Sequence, residues 1–189
     1  MRTVIETVPA LTDEEKEYLL KLARRTLEEY LSSGSIPSPR IDSPTLLEKR
    51  AVFVTLRRKD TGELRGCRGE SIARRPLVEA VIHSAIAAAV DDPRFPPVTL
   101  DELPNLHIEI SALTPLKPIR PDEVEVGRHG LMLILDGYAG LLLPQVPTEY
   151  GWTVREFLDA LCQKAGLPPG AWRDPRAQLY GFESEVWEE

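Results

Sequence analysis

Residues 64–70 are Leu64-Arg65-Gly66-Cys67-Arg68-Gly69-Glu70, and the rest of the chain is organised around them. They follow an apolar, β-branched segment at 51–57 and a turn at 59–62, so the pattern predicts a β-hairpin with 63–69 as its second strand. Alternation places Arg65 and Cys67 on one face of that strand, and Gly66 with Arg68 on the other. Glycines on both sides of the cysteine permit a tight bend or the close approach of another group.

Helical and strand patterns alternate around this hairpin without a regular βαβ order. A capping box at Thr12 and Glu15 opens a helix that ends at Gly34, and Pro76 begins an apolar helix that runs to about Val90. Further predicted elements are an alternating strand at 106–113, a second hairpin at 130–135 and 139–143, a helix that begins after Thr153, and a last strand at 178–183. The order predicts an α+β fold, with a mixed, mainly antiparallel sheet and flanking helices.

The length and composition set broad limits on the class of protein. A chain of 189 residues with 42% hydrophobic content can form one domain over residues 1–189, with no separable linker. There is no apolar run of membrane-spanning length, and residues 1–6 lack the apolar core of a signal peptide, so we expect a cytoplasmic protein. We therefore predict that Cys67 and Cys162 are free thiols. A single asparagine and 17 prolines suggest a thermophilic source.

Charge is unevenly distributed along the chain. Residues 48–75 contain nine basic and four acidic side chains, so this segment carries +5 in a chain of net charge −7. One interpretation is a strand edge protected by solvated lysine and arginine. The other is a basic pole that attracts a phosphate or carboxylate ligand. The acidic total makes nucleic-acid binding unlikely as a general function, and aromatic residues for base stacking are few.

The motifs of this chain resemble those of the AMMECR domain family, and the similarity extends over nearly all of it. The family signature is similar to Leu-Arg-Gly-Cys-Ile-Gly-Thr, which corresponds to residues 64–70 here. Three further stretches match in the same order: Asp92-Pro93-Arg94-Phe95-Pro96-Pro97, Gly140-Leu141-Leu142-Leu143-Pro144-Gln145-Val146 and Lys164-Ala165-Gly166-Leu167-Pro168.

The resemblance implies a protein of two unequal lobes with the signature near a cleft between them. It also implies Memo-type and radical-SAM proteins as partners, while it assigns no settled biochemical activity. Arg68 and Glu70 replace the isoleucine and threonine of the family signature. A pair between Arg68 and Glu70, or between Arg68 and Glu63, would compensate the charge of this arginine.

Cys67 is the first candidate for chemistry. Arginines beside a thiol favour its anionic, nucleophilic form, whereas a cysteine in a tight glycine-flanked bend can equally be a small packing residue. A cysteine–histidine pair would need His83, His107 or His129 as its base, and the sequence sets none of them beside Cys67.

Two further groups of polar residues are candidates for the same site. Glu109 and Ser111 share a face of the 106–113 strand with His107, and Glu109 is a candidate general acid or base if that face lines the cleft. A solvent-facing strand surface is the alternative. Asp92 and Arg94 follow the buried helix, where they either cap its end or bind an anion.

We therefore expect a cleft at the signature that binds a small anionic ligand. The predicted catalytic residues are Cys67 and Glu109, and the predicted ligand-binding residues are Arg65, Gly66, Arg68, Gly69, Asp92, Arg94 and Ser111. Glu79 and His83 are one helical turn apart, but this spacing is usually a surface pair, and we predict no metal. There is no glycine-rich phosphate loop or dinucleotide motif, so we predict no cofactor. The alternatives are an adaptor without catalysis and, less favoured, an RNA-binding protein.

Overall fold

The computed structural model describes residues 10–189. The 1–6 segment used for the prediction of compartment lies outside the described residues. The chain divides into two compact units, one formed by residues 1–112 (described from residue 10) with Glu185–Glu189, and one formed by Leu113–Ser184. Helices and antiparallel sheets are present in both, which confirms the predicted α+β class. The absence of a separable linker stays a prediction.

The first unit contains a four-stranded sheet with helices against one face. Its elements are α1 (Asp13–Ser33), α2 (Pro44–Leu47), β1 (Val52–Arg58), β2 (Leu64–Glu70), α3 (Leu77–Val90), β3 (Leu106–Leu113) and β8 (Ser184–Glu188). The strand order is β2-β1-β3-β8, so β2 is an edge strand. The pairs β1–β2 and β1–β3 are both antiparallel.

The apolar face of this sheet and the two long helices form the core of the first unit. Helix α3 is buried along most of its length, as its nearly continuous apolar sequence predicts, and it lies directly on β1 and β2. Helix α1 begins at the predicted capping box, ends at left-handed Gly34, and packs against α3. The indole Nε1 of Trp187 in β8 donates to the carbonyl of Lys16 at 3.1 Å, so β8 and α1 share this core.

The second unit contains a separate four-stranded sheet and its own helix. Its elements are β4 (Lys117–Pro118), β5 (Gly130–Leu135), β6 (Tyr138–Leu142), α4 (Gln145–Tyr150), α5 (Val154–Lys164) and β7 (Gln178–Phe182), in the strand order β4-β7-β5-β6. The predicted turn at Asp136-Gly137 has positive φ at both residues, as a two-residue hairpin requires. Phe157, Leu158, Leu161 and Cys162 of α5 are buried in this second core.

Three elements depart from the sequence prediction. The last residues, predicted to be a tail after β7, form strand β8 beside β3. Two short helices, α2 and α4, were not predicted, although Ser43 followed by Pro44 is a typical helix start.

Among residues 10–189, no helix is both long enough and apolar enough to cross a membrane.

Candidate functional site

The register of three strands aligns Cys67 with two polar residues. Thr55 in β1 is the Cα partner of Cys67 in β2 and of Glu109 in β3. Residues directly opposite in antiparallel strands have neighbouring side chains on the same face, so the three side chains form one row across the sheet. Cys67 and Glu109 are half-buried, and Thr55 is buried. The Thr55 hydroxyl donates to the Cys67 sulfur at 3.3 Å.

The next row along the sheet contains Ser111. Phe53 in β1 is the Cα partner of both Gly69 and Ser111, and Ser111 is buried. A Cβ atom on Gly69 would lie 2.2 Å from the carbonyl oxygen of Val52 and 2.7 Å from Cγ of Phe53, so this glycine allows the close approach of β1. The predicted site residues Ser111 and Gly69 are therefore one row away from Cys67 and Glu109.

Asp92 and Arg94 meet the edge strand at Cys67. One carboxylate oxygen of Asp92 accepts from the Cys67 backbone N–H at 2.9 Å and from Arg94 Nη2 at 2.7 Å. The other accepts from Arg94 Nε at 3.0 Å and from the Arg94 backbone N–H at 3.1 Å. Arg94 therefore pairs with Asp92, and the alternative in which it caps helix-end carbonyls is not what the structure shows.

These contacts change the ionisation of both side chains. The hydrogen bond from Arg94 holds the pKa of the Asp92 carboxyl well below its usual range, so this buried group is an anion at neutral pH. The pKa of Arg94 is raised chiefly by the hydrogen bond to Asp92, with a smaller contribution from Cys67. One Asp92 oxygen accepts from both the Arg94 guanidinium and the Cys67 backbone N–H, so the guanidinium lies beside Cys67. Its side chain remains 57% exposed.

Arg65 is buried in contacts within the protein. Its Nε and Nη2 donate to the two carboxylate oxygens of Glu102 at 3.1 Å each, and its Nη1 donates to the carbonyl of Pro96 at 2.9 Å. The pKa of Glu102 is lowered, chiefly by the hydrogen bond from Arg65. Arg65 thus fastens the 96–102 segment to β2, and the positive group with an exposed side chain near Cys67 is Arg94.

Gly66 and Arg68 lie on the other face of β2, as alternation predicts. A Cβ atom on Gly66 would overlap the carbonyl oxygen of Ala88, so the glycine allows α3 to approach the strand. Arg68 is exposed and lines a pocket beside α3. The structure therefore does not bring Arg68 onto the face that carries Cys67.

The two ion pairs suggested for Arg68 are wrong. Glu70 pairs with Arg75 at 2.9 Å, and Glu63 accepts from the Thr61 hydroxyl at 3.3 Å. No ion pair or hydrogen bond of the Arg68 guanidinium occurs within residues 10–189.

The three histidines have other surroundings. His107 Nε2 lies 3.1 Å from a Glu188 oxygen, and His129 Nδ1 accepts from the backbone N–H of Glu125 at 3.0 Å in the second unit. His83 is exposed on α3. Over the described part of the chain, no group of three potential metal ligands is clustered.

Two residues that organise the site were not predicted as part of it. Thr55 contacts the cysteine sulfur, and Glu102 neutralises Arg65. A hydroxyl within the apolar 51–57 segment was the available signal for Thr55, because the predicted hairpin register places it near Cys67. The contact between Glu102 and Arg65 spans 37 positions, so no local pattern indicates it.

Comparison with known proteins gives a consistent result. The model of the family described as AMMECR1 matches residues 20–187. Protein PH0010 of Pyrococcus horikoshii is 50% identical over 189 residues, covering 95% of this chain and 92% of that protein. Protein MJ0810 of Methanocaldococcus jannaschii is 45% identical over 188 residues, with 95% and 92% coverage. The crystal structure titled as uncharacterized protein PH0010 matches with a TM-score of 0.84, covering 95% of this chain and 93% of that one.

Proposed function

Since this chain belongs to the AMMECR1 family, we propose that it binds a small anionic molecule on the sheet face that carries Cys67. In this proposal Arg94 binds the anion, Cys67 is the nucleophile and Glu109 is the general acid or base. The observation that carries the proposal is the arrangement at the edge strand. Asp92 accepts hydrogen bonds from both Arg94 and the Cys67 backbone N–H. Thr55 contacts the Cys67 sulfur, and its strand, β1, lies between Cys67 and Glu109.

Arg94 is suited to bind an anion because it is both oriented and exposed. Two of the five N–H groups of its guanidinium donate to Asp92, which fixes the plane of the group. More than half of the side chain is exposed, so other donors remain accessible to a carboxylate or phosphate. Asp92 offsets part of the positive charge, so we expect moderate affinity for a small anion.

The thiol and the carboxylate support a catalytic form of the proposal. The Thr55 hydroxyl contacts the Cys67 sulfur at 3.3 Å, and Asp92 holds the Arg94 guanidinium beside the Cys67 backbone. Adjacent strands are about 4.8 Å apart, so Glu109 lies about 10 Å from Cys67 across Thr55. A small molecule on this face is thus able to contact both side chains. In the catalytic form, the Cys67 sulfur adds to a carbonyl carbon of the ligand, the C=O π pair moves to the oxygen, and Glu109 transfers the thiol proton to that oxygen.

Alkylation of the full chain with iodoacetamide across pH tests the proposal. We expect Cys67 to react, phosphate or citrate to slow the reaction, and Arg94→Gln to weaken that protection about tenfold. Arg74→Gln is the matched control, since Arg74 is an exposed arginine from the same basic segment. An inert Cys67 would remove the catalytic form. Absence of protection by either anion in the wild-type protein would remove the binding form.

The alternatives receive less support. Three arginines of the 48–75 segment each form an ion pair with a glutamate, namely Arg50, Arg65 and Arg75. These ion pairs reduce the basic surface available to RNA.

The adaptor alternative depends on the resemblance and stays a prediction. Co-purification of a Memo-type or radical-SAM protein with the wild type, and its loss in Arg68→Ala, would support it.

A further inference from the structure

A second candidate site lies in the first unit, on the face of β2 opposite to Cys67. It is a surface pocket of about 410 Å³ between the end of β2, the outer side of α3, and the last turn of α1 with the loop that follows. This volume is within the range of small-molecule sites. Its lining residues are Tyr30, Ile36, Arg68, Gly69, Glu70, Arg75, His83, Ser84, Ile86, Ala87 and Asp91.

Contacts between β2 and α3 place Arg68 beside the middle of the pocket wall that α3 forms. Gly66 lies against Ala88 of the helix. At the other end of the strand, the Ser84 hydroxyl donates to the carbonyl of Val52, which is the Cα partner of Glu70. The backbone of Arg68 is midway between these two points, and its side chain lines the pocket together with Ser84 and Ala87 of α3.

Arg68 is the arginine of the pocket that forms no ion pair within residues 10–189. Glu70 and Arg75 form an ion pair with each other, and Arg68 has no such partner in the described chain. The remaining ionisable residues of the lining are His83 and Asp91, which directly follows α3, so the two carboxylates of the pocket balance its two arginines. An additional donor, Nε of Arg75, is buried with no hydrogen-bond partner among residues 10–189.

Besides the charged groups and the polar His83 and Ser84, the lining has an apolar part. Ile86 and Ala87 come from α3, the ring of Tyr30 comes from α1, and Ile36 from the following loop is 53% exposed. An exposed isoleucine in a concave wall favours a ligand that covers it. A ligand body of six to ten carbons would remove this surface from water while its charged end contacts Arg68.

We propose that this pocket binds a small organic anion, in which one carboxylate or phosphate group pairs with Arg68 and a compact apolar body contacts Ile36, Ile86 and Tyr30. The planar guanidinium matches both kinds of oxyanion with two parallel hydrogen bonds. The carboxylates of Glu70 and Asp91 repel further negative charge, so polyanions such as ATP are disfavoured. The site is independent of the proposed function, because Cys67 and Arg94 are not part of its lining.

Binding of 4-fluorophenylacetate to the full chain, followed by ¹⁹F NMR, tests this proposal. At about 10 mM probe, which fills a millimolar site, we expect a bound signal that phenyl phosphate and phenylacetate displace. Arg68→Ala should weaken binding about tenfold or more, and Arg68→Lys should weaken it less, because lysine keeps the charge but loses the planar pair of donors. Arg74→Ala should bind like the wild type, because Arg74 is exposed and is not part of the lining.

Several outcomes would overturn the proposal. The first is wild-type affinity for the probe in Arg68→Ala, and the second is no binding at the highest probe concentration. The third is that inorganic phosphate displaces the probe as effectively as phenyl phosphate does. That result would indicate an adventitious ion only. Loss of probe binding in Arg94→Gln, with retention in Arg68→Ala, would move the probe to the face of the proposed function and refute the second site.

Discussion

Replacing Asp92 by alanine removes an anion that accepts four hydrogen bonds at the edge of β2. Two of these come from the Arg94 side chain, one from the Arg94 backbone and one from the Cys67 backbone N–H. The exposed guanidinium regains water in the variant, so its lost ion pair costs at most about 1 kcal/mol. The strand N–H loses its acceptor at a cost of about 1–3 kcal/mol. We therefore expect a loss of about 1–4 kcal/mol in the free energy of unfolding.

The pH dependence gives this prediction a sign that can be measured. The folded-state pKa of Asp92 is depressed below its ordinary value of 3.8. Its contribution to stability is therefore fully present above that value and is lost as the pH falls through the folded pKa. The difference in unfolding free energy between the wild type and Asp92→Asn should be largest near pH 7 and should shrink on acidification below about pH 4.

Guanidinium unfolding of the full chain and hydrogen exchange of the Cys67 amide are the two assays. In Asp92→Ala the Cys67 amide should exchange faster than the amides in the middle of β1, since it has lost its acceptor. Asp91→Ala is the matched control, because Asp91 is an exposed neighbour and its replacement should change stability by less than about 0.5 kcal/mol. Equal stability of the two variants, with unchanged exchange at Cys67, would refute the reasoning.

Three further outcomes are expected. Gly66→Ala should lower the unfolding free energy by about 1–3 kcal/mol, because the added methyl group would overlap the backbone carbonyl of Ala88. Adding Ala88→Gly leaves that carbonyl in place and should not restore stability. Restored stability in the double variant would contradict this prediction. Glu102→Gln leaves the buried charge of Arg65 poorly compensated, so it should lower the unfolding free energy by about 3 kcal/mol above pH 4.5, the ordinary pKa of Glu102. In acid the wild type also loses this carboxylate, so the difference between the two proteins should be smaller. Urea unfolding at two pH values measures the difference. Burial raises the pKa of the Cys162 thiol, so this thiol should not react with iodoacetamide until the protein unfolds, which mass spectrometry measures. Reaction in the native state would show that α5 opens.

Local signals in the sequence were sufficient for most of the secondary structure. A capping box needs only the chemistry of four consecutive residues. The predicted box at Thr12 occurs where expected, and the helix predicted after Thr153 begins with a second one. Positive φ at Asp136 and Gly137 likewise follows from the local preference of these residues for the turn. The burial of α3 follows from its composition, because a helix that is apolar all round needs neighbours on every side.

Tertiary structure decided the edges of the first sheet and the partners of its charged residues. Strand β8 joins β3 from the far end of the chain, and Trp187 contacts Lys16 across 171 positions. Arg65 and Arg68 have the same chemistry in sequence, yet one is buried against Glu102 and the other lines a pocket. Side-chain alternation determines which face a residue occupies, but the groups that cover that face arrive from distant segments. Which arginine keeps an available charge therefore depends on packing between distant segments of the chain.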